Sequence, residues 1–185
     1  MKRGVKLIVV AFVVVLCIVT AIKIIQINRT YPQVQVQNID VGKTEEMKDG
    51  ICMQVEKTKW LSKNEAEKAY GEDFKKEMEK GINYRTIEVT VNLTNQSNKE
   101  QEMDLYDIYF ENDIYCNGLV PEIFGELNGN ADMGIRLTSG EEKQVILGYL
   151  VYEKQFTGKQ WKNLETTPFY LANQRYPVKK RWAIN

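Results

Sequence analysis

Hydrophobic and polar positions along the chain follow two different periods, with a break near residue 28. From Leu7 to Ile22 the sixteen residues LIVVAFVVVLCIVTAI carry no charge, and Ile24, Ile25 and Ile27 prolong the run past Lys23. At about 1.5 Å rise per residue those sixteen span roughly 24 Å, and the isoleucines extend the helix toward the ~30 Å of a hydrocarbon core while Lys23 snorkels. The pattern predicts one membrane-spanning helix over residues 7–27. Lys2, Arg3 and Lys6 precede it with no acidic residue among them. The positive-inside tendency therefore puts residues 1–6 in the cytosol as a short tail and residues 28–185 outside, although Lys23 and Arg29 reduce the contrast. A basic stretch followed by an apolar one also describes a cleavable signal peptide, and Val19-Thr20-Ala21 has the small residues for cleavage after Ala21. Apolar character that continues through Ile27 favours the uncleaved anchor. Cys17 follows Leu16, where a lipobox needs a small residue, so it reads as a membrane-buried thiol.

Beyond residue 28 the period falls to two. Val34 and Val36 alternate with Gln33, Gln35 and Gln37, which predicts a half-buried first strand, and Ile51, Met53 and Val55 repeat the pattern after the Asp49-Gly50 turn. The clearest strand is Thr86–Thr94, where Ile87, Val89, Val91 and Leu93 share one face and Asn95-Gln96-Ser97-Asn98 ends it. Leu105–Phe110, Val145–Tyr152, Phe169–Leu171 and Arg181–Ile184 bring the expected strands to seven. One helical insertion is expected from the capping box Ser62-Lys63-Asn64-Glu65, with Ala66, Ala69, Tyr70, Phe74 and Met78 as its apolar stripe and Gly71 as a break or kink. A short second helix is expected over Gly158–Leu164 with Trp161 buried. The expected fold is an Ig-like antiparallel β-sandwich with a helical insertion, preceded by a single transmembrane helix.

Length and charge narrow the function. The 185 residues, less the apolar stretch, suffice for one domain with its own core. Lys plus Arg and Asp plus Glu are 25 each, so no net field gathers nucleic acid phosphates. No histidine is present, which removes the usual general base, the commonest zinc ligand and every imidazole triad.

Four groups of residues have the composition of a site. Asn128, Asn130 and Asp132 are spaced as the start of a calcium loop, but Gly134 comes one place late and Ser139 stands where a bidentate glutamate is needed. Asp104, Asp107, Glu111 and Asp113 are dense enough for a cation site or an acid/base pair; on a regular strand the last three share a face and Asp104 lies opposite, as at a solvated edge. Aromatic residues around Tyr106, Tyr109, Phe110 and Tyr115, and from Tyr149 to Tyr170, could line a groove, although the spacing of Tyr149, Trp161 and Phe169 favours a core. Lys179-Lys180-Arg181 between Tyr176 and Trp182 could meet anionic wall polymer or lipid headgroups. Cys52 and Cys116 would lie on the oxidising side and form a candidate disulfide; the alternative is two small buried apolar residues. No cofactor and no metal is expected.

The anchor, Tyr31-Pro32, the strand Ile87–Asn95, the turn Leu137-Thr138-Ser139-Gly140-Glu141-Glu142-Lys143, Lys159–Leu164 and Tyr176–Trp182 together resemble an uncharacterised Gram-positive DUF family of membrane-anchored extracellular domains. That family is akin to the immunoprotective extracellular Ig-like superfamily. The resemblance implies location and fold and carries no active site. The expected function is a non-catalytic surface interaction or ligand-binding module, with membrane lipid around residues 7–27 and a cell-wall or protein ligand as partners. The alternatives are a wall hydrolase using paired carboxylates and a transmembrane sensor, the latter restricted by a cytosolic tail of six residues.

Overall fold

The computed structural model of the chain describes residues 3–78, 81–173 and 176–185. It divides into two compact units, residues 1–35 with 176–178, and residues 36–175 with 179–185.

The first unit is dominated by α1 (Arg3–Thr30), a helix of 28 residues. At about 1.5 Å per residue it is about 42 Å long. From Gly4 to Thr30 it is long and apolar enough to cross a membrane, and none of that stretch is buried within the protein. Beyond it Tyr31 meets Tyr176 with ring centroids 6.5 Å apart, and the Gln35 amide donates to the Pro177 carbonyl at 2.9 Å.

The second unit is a β-sandwich. One sheet has the order β2 (Thr44–Lys48), β3 (Ile51–Ser62), β4 (Tyr84–Asn95), β9 (Glu142–Tyr152). The other has the order β1 (Gln35–Ile39), β11 (Val178–Ala183), β10 (Tyr170–Asn173), β6 (Ile108–Glu111), β7 (Cys116–Asn117). A two-stranded ribbon joins β5 (Gln101–Asp104) to β8 (Gly134–Leu137). The β2–β3, β3–β4, β4–β9, β6–β10 and β10–β11 pairs are antiparallel. Ile87, Val89, Val91 and Leu93 of β4 are all fully buried, as their alternation requires. They join Met53, Leu147 and Tyr149 of the same sheet and Ile108, Phe110, Leu171 and Trp182 of the facing sheet in one core. Phe110 stacks on Phe169 at 4.6 Å and on Tyr149 at 5.4 Å, so the aromatic residues expected in the core do lie there. Among the described residues three buried side-chain hydrogen bonds cross between the sheets: the Trp182 indole donates to the Met53 carbonyl at 3.0 Å, the Tyr149 hydroxyl to the Ile108 carbonyl at 3.2 Å, and the Asn173 side-chain amide to the Met47 carbonyl at 3.1 Å.

The outer face of the four-stranded sheet is covered by α2 (Lys63–Glu77) and α3 (Pro121–Leu127), which bury Ala66, Tyr70, Phe74 and Ile123 against Leu61, Tyr84 and Leu150. The Ser62–Glu65 capping box is formed, and the chain leaves helical geometry at Gly71 (φ 82°, ψ −177°), as expected. Ala69, assigned to the apolar stripe, is exposed. A short helix, α4 (Gly158–Lys162), buries Trp161 as expected.

Three expectations need correction. Val34 and Val36 are exposed, because the one buried residue of β1 is Ile39, which shares its face with Gln35 and Gln37. Leu105–Asp107 is a 3-10 turn and not strand, since the Asp104 carboxylate accepts the Tyr106 amide at 2.9 Å and curls the backbone; the strand begins at Ile108. The seven expected strands are joined by four short ones, β2, β5, β7 and β8, of two to five residues each, too brief to show a period.

Candidate functional site

The acidic and basic stretches read separately in the sequence come together on the five-stranded sheet. Tyr170 of β10 lies opposite Glu111 of β6 on one side and Ala183 of β11 on the other, which brings side chains of β6 and β11 to one face across a single strand. Glu111 is 2% exposed, and its carboxylate accepts Lys179 Nζ at 2.6 Å and Arg181 Nε at 2.6 Å. Arg181 also donates to Asp113 at 3.0 Å, and its guanidinium lies 5.4 Å from the Tyr170 ring centroid. The Glu111 and Asp113 carboxylates raise the guanidinium's already high pKa against the opposing effect of burial. Lys180 points elsewhere, to the Glu45 carboxylate at 2.8 Å and the Glu46 carbonyl at 2.6 Å. The basic run that could have met wall polymer or lipid is therefore engaged within the fold.

The four carboxylates, expected at a solvated strand edge, take separate parts, except that Glu111 and Asp113 share Arg181, and Glu111 is buried by its ion pairs. Asp104 caps the turn before β6, Asp107 is exposed on that turn, Glu111 is buried in ion pairs and Asp113 is an exposed neighbour of Arg181. The calcium-like loop is likewise divided. Both ends of the Asn128 amide are bound: Nδ2 donates to the Phe124 and Ile146 carbonyls at 2.8 Å, and Oδ1 accepts the Ile146 amide at 2.9 Å. Asn128 thus extends β9 in the way a neighbouring strand would. Among the described residues no group of three Cys, Asp or Glu side chains could hold a metal ion.

Cys52 and Cys116 are brought to no common position. Cys52 is buried on β3 of the four-stranded sheet, Cys116 is exposed on β7 at the edge of the five-stranded one, and both are thiols. Burial, followed by the nearby Glu46 and Glu45 carboxylates, pushes the Cys52 thiol pKa up and makes it a poor nucleophile.

Two of the recesses on the sandwich are lined by described residues that bring polar or aromatic groups together. One, of about 670 Å³, is bordered by the β5–β8 ribbon and lined by Glu102, Asp132, Gly134, Ile135, Arg136 and Lys143. Glu102 and Arg136 are register partners whose side chains meet at 3.4 Å. The recess presents two carboxylates and two cations and suits a polar ligand carrying both signs of charge. The sequence reading missed it, because β5 and β8 have four residues each and their pairing is what places these charges together. The other, of about 250 Å³, lies between α2 and α3, with Tyr70 and Phe74 on one side and Glu122 and Glu126 on the other. The missed helix α3 was signalled by Pro121 at its first turn.

The chain is similar in structure to the yjhA protein from Bacillus subtilis, with 12% identity and a TM-score of 0.49, over 79% of this chain and 98% of that one. It is also similar to an uncharacterized β-sandwich protein from Clostridium difficile 630, with 13% identity and a TM-score of 0.43, over 83% and 97% of the two chains. Among curated proteins none matches the sequence. A family model, the domain of unknown function DUF5028, matches residues 32–180, which takes in the sandwich from before β1 into β11, and the chain belongs to that family.

Proposed function

We propose that this chain is a membrane-tethered module that acts by binding, with its sandwich displayed outside the cell and no chemistry of its own. The observation that carries this reading is the use of the site-like residues inside the fold: Glu111 ties β6 to β11, Asp104 caps a turn and Asn128 completes the edge of β9. The apolar α1, preceded by Lys2, Arg3 and Lys6, supports an uncleaved anchor with residues 1–6 inside and 28–185 outside. The charged recess at Glu102, Asp132, Arg136 and Lys143 is the surface assigned to the ligand.

Cys116 offers a direct test of sidedness, since it is exposed while Cys52 is buried and Cys17 lies within the apolar helix. A membrane-impermeant maleimide added to intact cells should label the chain, and Cys116→Ser should abolish the label. Labelling that needs lysis would overturn the external placement. For binding, the full-length protein in detergent micelles should retain cell-wall fragments or a surface protein, and Arg136→Glu with Lys143→Glu should release them. Turnover of wall glycan that is lost on Asp107→Asn would overturn the non-catalytic reading.

A further inference from the structure

The chain contains two Asn-Gly pairs, Asn117-Gly118 and Asn128-Gly129, and the fold gives their side-chain oxygens different partners, the Gly118 amide for Asn117 and the Ile146 amide of β9 for Asn128. An asparagine before glycine can lose its side-chain amide nitrogen when the next backbone nitrogen reaches the amide carbon, and the absence of a Cβ on glycine eases that approach. Geometry then sets the rate, because reacting atoms held roughly 3–3.5 Å apart react far faster than misplaced ones. At Asn117 the Gly118 amide nitrogen lies 2.9 Å from Oδ1. One carbonyl bond of about 1.23 Å puts it about 3.2 to 4.1 Å from Cγ for any hydrogen-bonded angle. The Asn117 Nδ2 donates to the Leu150 carbonyl at 2.8 Å, which holds the side chain in this orientation. Asn128 has both ends of its amide bound to β9 and a third bond to Phe124, so its carbon is held against the sheet.

We propose that Asn117 is a site of spontaneous, time-dependent deamidation in the folded protein and that Asn128 is protected. Hydroxide takes the proton from the Gly118 nitrogen, whose electron pair forms a bond to Asn117 Cγ. The Cγ–Nδ2 bond breaks, and the nitrogen leaves as ammonia after taking a proton from water. Water then opens the five-membered imide at either carbonyl, leaving aspartate or isoaspartate at position 117. No oxidant or reductant is involved. The product loses the donor to Leu150 and places a carboxylate beside that carbonyl, which keeps the Tyr115 hydroxyl at 2.6 Å. Conversion therefore adds a negative charge to the β7 edge and loosens its tie to β9.

The experiment follows both pairs in the full-length protein by peptide mass spectrometry during incubation at pH 8 and at pH 6. The same protein unfolded in urea serves as a reference in which both pairs are free to react. In the folded protein Asn117 should gain about one mass unit, faster at pH 8, at least about tenfold faster than Asn128. Gly118→Ala should slow the change without disturbing the fold, because a Cβ there meets nothing within 4 Å. The proposal is overturned if folded Asn128 converts as fast as Asn117. It is equally overturned if Asn117 stays intact over the time in which the unfolded chain converts.

Discussion

Gly148 shows how a single missing methyl group sets the position of an element. It lies on β9 where α3 crosses the sheet, and a Cβ built there would overlap Ile123 Cγ2 and lie 2.9 Å from Ile123 Cβ. Neither atom can swing away, since Ile123 is fully buried against Leu150 and Tyr70. Gly148→Ala should therefore push α3 off the sheet at a cost of about 1–3 kcal/mol, read as a lower denaturation midpoint in urea with the far-ultraviolet spectrum retained. A second sensitive residue is Glu111, where removing the charge leaves Lys179 and Arg181, each about 15% exposed, with one partner fewer. Glu111→Gln should destabilise the sandwich by about 3 kcal/mol in equilibrium unfolding, whereas exposed pairs such as Glu102–Arg136 should give under about 1 kcal/mol.

At the scale of elements, α2 depends on its cap as much as on its stripe. The Ser62 amide and hydroxyl donate to the Glu65 carboxylate at 2.8 and 2.6 Å, and the hydroxyl, then the backbone, hold the Glu65 pKa below its ordinary 4.5. A carboxyl whose pKa is lowered by folding contributes stability above its unfolded value and loses it as the pH falls through the folded one. The melting temperature of Glu65→Ala should fall below that of the parent at pH 7, and the two should converge as the pH drops below 4.5. This box was legible because Ser62 and Glu65 lie within one turn, and Gly71 was legible as a break for the same local reason. The 3-10 turn at Leu105 follows an equally local signal, Asp104 two residues ahead of the amide it accepts, in a stretch whose apolar residues suggested a strand. The wrong face assigned to β1 has a different cause. Alternation shows that a strand has two faces but not which one meets the core, and Ile39 decides that by packing in the inter-sheet cluster.

For the whole molecule, the two units make separate predictions. Cys52 and Cys116 stand as thiols in different sheets, so reductant should leave the melting temperature unchanged, and Cys52 should react with a maleimide only on unfolding. In α1 the Leu, Ile, Val and Phe side chains between Leu7 and Ile27, at about −0.3 to −0.6 kcal/mol each, sum to about −7 kcal/mol of insertion energy, against about +3 for an arginine at mid-helix. Leu16→Arg alone should leave the protein in the carbonate-resistant membrane fraction. Adding Val13→Arg should release a large share of it, since the two charges nearly cancel the apolar gain.

The sequence by itself determined what depends on neighbours along the chain: the apolar helix, the β4 strand with its inward residues, the β9 strand, the Asp49-Gly50 turn and the Ser62 cap. In each, the deciding interactions join residues within a turn or alternate along one strand. Tertiary structure alone decided the candidate sites. Lys179 and Arg181 stand 68 and 70 positions from Glu111, and Asn128 stands 18 from the β9 backbone it binds. The recess exists because β5 pairs with β8, 30 or more positions on, and brings Glu102 to Arg136. Strand pairing brings such residues together through sheet order, and charged side chains read as solvent-facing in the sequence become cross-strand partners once that order is set.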